Sequence, residues 1–133
     1  MKSGPALYKL AKHKIEMLQQ ALNSADSEVA AAEARIKRLD MTLEMERLIA
    51  AQSGQPVDFA RYAMMMKPKR AAMVQDAAGA ASRADVVRAE LMDAFAEGKK
   101  IEILMERALQ RERAEEARIE QAQLDEVALR KKS

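Results

Sequence analysis

The sequence predicts an all-α protein, an antiparallel two-helix coiled-coil hairpin with a longer, overhanging C-terminal helix. Three observations carry that prediction. Of 133 residues, 33% are charged and 3% aromatic, and there are only four glycines and three prolines. A chain built largely of Ala, Glu, Lys, Leu and Arg with so few breakers favours long helices buried along a seam over a thick core. Apolar residues recur alternately three and four apart through most of the chain, the spacing of a coiled-coil stripe. One cluster of turn residues near the middle, QSGQPVD, separates two such stretches.

The first helix is expected over about 7–52. Its stripe reads Tyr8, Ala11, Ile15, Leu18, Leu22, Ala25, Val29, Ala32, Ile36, Leu39, Leu43, Glu46, Ala50, apolar at every position but Glu46. The a positions of this heptad are bulky. The d positions are mostly small, which lets a partner helix approach closely. About 45 helical residues at 1.5 Å each span roughly 65–70 Å. A turn follows over 53–57, where Gly54 and Pro56 interrupt the pattern and Asp58 is a suitable N-cap. A short tip helix is expected over about 58–66. Pro68 lacks a backbone donor and disfavours helical geometry at Lys67, so it predicts a helix end or kink. The long return helix runs over about 69–130. Its thinner stripe is Ala77, Ala80, Ala84, Val87, Leu91, Ala94, Gly98, Ile101, Met105 and Ala108. The whole chain, residues 1–133, reads as a single coiled-coil domain.

A striped helix cannot bury its stripe alone, and a short turn makes the next helix its antiparallel neighbour. Folding about 53–57 pairs residue i with roughly residue 111 − i, so the return helix outruns its partner after about Ala108. The stripe itself changes there, with Glu112 and Glu115 where apolar residues would continue it. The last quarter is therefore expected to be a charged helix overhanging the hairpin, and the free chain to be a monomer.

The composition also excludes functions. With one His, no Cys, no Trp and scattered glycines, the chain has no phosphate-binding loop, activated nucleophile or metal-ligand cluster. His13 falls at an outer position among lysines, as solvated decoration. A thin coiled coil lacks the concavity of a small-molecule site. No enzyme, cofactor or metal is expected. The formal net charge of +2 comes from intermixed signs. Without interleaved aromatic residues to stack on bases, nucleic acid is not an expected partner. There is no apolar leader in the N-terminal stretch and no run long enough for a membrane span. A cytoplasmic protein working through its surfaces is the expectation.

Two surfaces suggest themselves. Outer positions of helix 1 become apolar at Met41, Met45 and Leu48, while Tyr62, Met64 and Met65 lie opposite in the hairpin. Phe59, Tyr62 and Met66 share one helical face, Met64 points nearly away from it, and Met65 lies on the flank. Either the heptad slips near Glu46 and methionine fills an irregular cap, or the tip offers a soft apolar patch to a partner.

The charged tail is the second surface, and there the sequence resembles a known family. Lys99, Glu102, Leu104, Glu106 and Arg107, followed by Glu120, Gln121, Asp125, Glu126 and Arg130, are similar to the C-terminal pattern of the flagellar export protein FliJ family. Length, the early LYKLAKHKIE heptads and the central interruption fit across the whole chain. The resemblance implies a non-enzymatic coiled-coil stalk and adaptor of flagellar type III export, similar to the rotor stalk of rotary ATP synthases. It implies partners in the hexameric flagellar export ATPase, the cytoplasmic part of the membrane export gate, and export chaperones. The protein would then lie at the cytoplasmic face of the membrane. By that analogy Glu120, Gln121, Asp125, Glu126 and Arg130 are candidate ATPase contacts. The tip residues Met41, Met45, Leu48, Tyr62, Met64 and Met65 are candidate gate contacts. The methionine cluster and Pro68 depart from the family's more regular, aromatic-richer stretch. Alternatives are the stalk of a virulence-type secretion system, or a generic structural coiled coil that dimerises through its tail.

Overall fold

A computed structural model describes residues 3–132 and contains two helices, α1 (Gly4–Ser53) and α2 (Pro56–Lys132), with no strand among the described residues. The fold is an all-α helical hairpin. Its packing forms two compact units. The tip unit is Met17–Leu91, and the terminal unit combines Met1–Glu16 with Met92–Ser133.

Helix α1 starts a turn earlier than its stripe suggests. Ser3, a favoured cap residue, accepts the first helical bond through its carbonyl from Leu7 N–H at 3.0 Å. Pro5 is tolerated because the first-turn N–H groups have no helical acceptor. At the other end Gly54 takes φ of 72°, and Gln55 N–H reaches back to Ala50 C=O at 3.0 Å. This is the Schellman arrangement, in which a left-handed glycine closes the helix. Pro56 then occupies the first position of α2, where its fixed φ suits a helix start. The connection is thus Gly54–Gln55 alone, shorter than the expected 53–57. Asp58 lies inside the first turn, where its charge complements the helix dipole, and does not cap it.

The expected break at Pro68 is absent. Helix α2 runs unbroken through it for 77 residues, so the separate helices over 58–66 and 69–130 are one. The heptad explains why. Phe59, Met66, Met73, Ala80 and Val87 follow at sevens and are all shielded from solvent, with Met66 and Met73 on either side of the proline and in phase with one another. Burial on both sides holds the helix, while Pro68 itself sits on the exposed outer face. The Met64 carbonyl that loses its donor therefore faces outward, where solvent can satisfy it.

In the tip unit the shielded α1 positions are those of the stripe from Leu18 to Ala50, joined by Ala34, with Glu46 exposed. The stripe keeps phase to Ala50, so the heptad does not slip near Glu46. Facing it on α2, Ala80 and Ala84 are buried and Leu91, at 8% exposure, is the largest buried side chain. Three ion pairs cross the seam: Arg70–Asp40, Arg83–Glu28 and Arg88–Asp26. The first two pairs match the predicted antiparallel register to within about a residue, and the third to within about three.

In the terminal unit Tyr8, Ala11 and Ile15 of α1 meet the α2 stripe through Ala94, Gly98, Ile101, Met105 and Ala108, all shielded. A Cβ on Gly98 would stand 3.3 Å from Ile15 Cδ1, tight enough that Ile15 would have to give way. Beyond Ala108 every described residue is exposed, so the overhang begins where the sequence places it.

Two tests follow from this packing. Ala32→Cys combined with Ala80→Cys, in a chain with no native cysteine, should oxidise to a crosslink within one monomer; crosslinks only between molecules would contradict the hairpin. Leu91→Ala should lower the unfolding free energy in urea by about 2 kcal/mol, the low end for a large-to-small change at a thin seam.

Candidate interaction surfaces

Heptad letters extend to α2 when Ala63 is taken as a and Met66 as d. In an antiparallel pair, like-lettered flanks then share a side: Glu28 and Arg83, both g, are 3.9 Å apart, and Asp26 and Arg88, both e, 3.3 Å apart. This frame sorts the candidate tip residues. Met45 and Met65, both c, flank Ile49 and Tyr62, both g, on one side. A groove lined by Glu46, Ile49, Asp58, Phe59 and Tyr62 lies there. Met64, at b, faces the other side of α2. Met41 and Leu48, at f, look outward from α1. Tyr62 is half-buried; Met41, Met45, Leu48, Met64 and Met65 are exposed, Met64 at 77% and Met65 at 64%. The structure therefore gathers Met45, Tyr62 and Met65 with Ile49 into one flank and leaves the other three apart.

An unpredicted ion pair crosses the seam in this region. Arg70 occupies an a position of the seam, seven residues beyond Ala63, yet is exposed. Its guanidinium forks onto Asp40, donating Nε–H to Oδ1 at 2.8 Å and Nη2–H to Oδ2 at 3.0 Å. These hydrogen bonds, aided by the opposite charge, hold the Asp40 carboxyl below its ordinary range and raise Arg70 further. Counting the heptad straight through Pro68 would have found it.

In the tail, Gln121 Nε2–H donates to Asp125 Oδ1 at 3.0 Å, and Arg130 Nη2–H to Glu126 Oε1 at 2.8 Å. Arg118 forks onto Glu115 in the same way one turn earlier, depressing that carboxyl. Such exposed pairs within one helix contribute little to stability. The five candidates share no face. Gln121 and Asp125 form one row, Glu126 and Arg130 another, and Glu120 a third. Exposed Leu109, Ile119, Leu124, Val127 and Leu129 are interspersed with them.

The terminal unit also holds an open crevice of about 460 Å³ between Tyr8, Ile15, Phe95 and Gly98, with Lys12, Lys99 and Glu102 at its edge. Among the described residues no three His, Asp or Glu side chains converge as a metal site, and no helix is long and apolar enough to cross a membrane.

A protein-family model described as Flagellar FliJ protein matches residues 5–132, nearly the whole chain. No curated protein and no solved structure matches.

The Asp40–Arg70 fork predicts a pH signature. Because the Asp40 pKa is depressed on folding, its contribution is complete above the ordinary carboxylate value near 4 and is lost as pH falls through the lowered one. Thermal unfolding should find Asp40→Asn less stable than the parent at pH 7, with the gap closing as pH falls below the ordinary carboxylate value and through the lowered one. A gap of constant size across that range would contradict the pairing.

Proposed function

The chain belongs to the flagellar FliJ family, and from that premise we propose that it is a stalk and adaptor linking the export ATPase to the export gate. Family membership gives the coarse role, a component of flagellar protein export. The finer reading rests chiefly on one observation, the exposed helix from Leu109 to Lys132, which no other described residue covers. A helix carrying polar and apolar contacts all round its circumference suits insertion into an opening better than lying on a flat surface, where only one face would be used. The hexameric export ATPase supplies such an opening at its centre, with Glu120, Gln121, Asp125, Glu126 and Arg130 as the contacts.

The tip supplies the second attachment. Ile49, Tyr62, Met45 and Met65 make an apolar flank, and methionine adapts to irregular partner surfaces. This flank takes the cytoplasmic part of the export gate, with Met41, Leu48 and Met64 at its margins. Export chaperones use the remaining hairpin surface. The free protein is a monomer in the cytoplasm and reaches the membrane only through these partners.

Binding and turnover of the purified export ATPase test the tail. The full chain should bind it and promote its hexamer or its activity. Asp125→Lys with Glu126→Lys should weaken binding about tenfold while leaving helicity unchanged. An active ATPase indifferent to the parent chain would sink the reading. At the tip, Met65→Asp should weaken binding to the soluble part of the gate more than Met64→Asp does, with helicity kept in both. Loss of helicity in either would return these methionines to a packing role.

A further inference from the structure

Six methionines are exposed among the described residues: Met17, Met41, Met45, Met64, Met65 and Met92. Met66, Met73 and Met105 are half-buried in the seam. The exposed six divide by their charged neighbours. Glu16 adjoins Met17, Asp40 adjoins Met41, Glu44 and Glu46 bracket Met45, and Asp93 adjoins Met92. Cations also stand one turn from Met17 (Lys14), Met41 (Lys37 and Arg38) and Met92 (Arg88). Within four residues on either side, however, the formal charge sums to +2 about Met64 and +3 about Met65, against zero about Met17 and Met41 and −1 about Met45 and Met92. Met64 and Met65 lie in a segment with no carboxylate between Asp58 and Asp76 but with Arg61, Lys67, Lys69 and Arg70. On the continuous helix Lys67 stands one turn from Met64. Arg61 and Lys69 stand one turn to either side of Met65.

We propose that the Met64–Met65 pair is the preferred oxidation site of this chain, converted by hydrogen peroxide to methionine sulfoxide, and that the change weakens docking at the tip. The thioether sulfur gives an electron pair to one peroxide oxygen, an S–O bond forms and the O–O bond breaks. Sulfur is oxidised by two electrons. The departing oxygen keeps its hydrogen, takes the proton of the transferred one and leaves as water. Negative charge builds on that departing oxygen in the transition state. Neighbouring ammonium and guanidinium groups stabilise it, whereas a carboxylate opposes it. Exposure gives peroxide access at all six sites, so the local charge sets the order among them. Oxidation replaces a soft apolar group with a polar one able to accept hydrogen bonds from the flanking cations, and methionine sulfoxide reductases reverse it. The hairpin is unaffected, because neither side chain belongs to the seam. The docking consequence rests on the tip reading above; the oxidation order does not.

Peptide mass spectrometry of the intact chain during a hydrogen peroxide time course tests the site. Sulfoxide should accumulate first on Met64 and Met65, next on Met17, Met41, Met45 and Met92, and last on Met66, Met73 and Met105, with helicity constant. Equal rates at all six exposed sites, or early oxidation in the seam, would overturn the proposal. Lys67→Gln with Lys69→Gln should remove the lead of Met64 and Met65 over Met17 and Met92; an undiminished lead would overturn the role of charge. For docking, a peroxide exposure stopped when the mass spectra show sulfoxide on Met64 and Met65 alone should weaken binding of the parent to the soluble gate domain, reductase treatment should restore it, and Met64→Leu with Met65→Leu should bind equally before and after that same exposure. Equal peroxide sensitivity in that variant would overturn the docking half. Absence of gate binding before oxidation would sink the tip reading and the docking half with it, leaving the oxidation order to stand or fall on the mass spectra.

Discussion

The structure depends on a seam made of small side chains. Ala32, Ala80, Ala84 and Ala94 are among the few buried residues of the chain, and Gly98 stands where even a methyl group would press on Ile15. Small residues let two helix backbones approach closely, so shielding comes from the neighbouring helix more than from bulky side chains. An alanine methyl contributes little, on the order of 0.8 kcal/mol when buried. Stability must therefore accumulate along the length of the seam, and flanking charges help to hold its register. Arg70 shows the limit of that design. It takes a seam position without being buried and is held by Asp40 across the helices.

A seam that consumes few large residues leaves others outside it. Among the described residues, methionines collect at the outer positions near the turn, and aliphatic residues dot the tail beyond Ala108. In a globular protein most of these would be core. Here they are available to partners, and this is why the functional reading attaches to the tip and the tail and not to a pocket. The Schellman closure at Gly54 contributes by keeping the connection short, so the apolar surplus lies on rigid helix and not on a loop.

Much of this was legible in the sequence, for a physical reason. A heptad is a one-dimensional pattern that maps directly onto burial, so every apolar residue predicted for either stripe is shielded, and Glu46, its charged exception, is exposed. The end of the seam at Ala108 was equally readable, because Glu112 and Glu115 cannot face a partner helix at low cost. Local rules failed where packing overrode them. Pro68 predicts a break, but in-phase burial of Met66 and Met73 carries the helix past it. Asp58 looks like a cap, but Gln55 and Pro56 already start the helix. The candidate tip patch was only partly legible. Helical spacing alone sets Met64 apart from Met65. Only the antiparallel flanks, fixed by pairs such as Glu28–Arg83, bring Met65 to the side of Met45 and Ile49 and leave Met41 and Leu48 outside it. Nothing in the packing assigns the tail candidates to a partner; their argument comes from family likeness and from exposure.

The central claim is that the helix beyond Ala108 is a docking element and not merely solvated decoration. Amide hydrogen exchange of the full chain, alone and with the hexameric export ATPase, tests it most directly. Residues 109–132 should exchange fastest among the helical residues when the chain is alone, since no seam protects them, and should slow markedly when the ATPase is added. A bound complex in which tail exchange is unchanged, with slowing confined to the hairpin, would contradict the account.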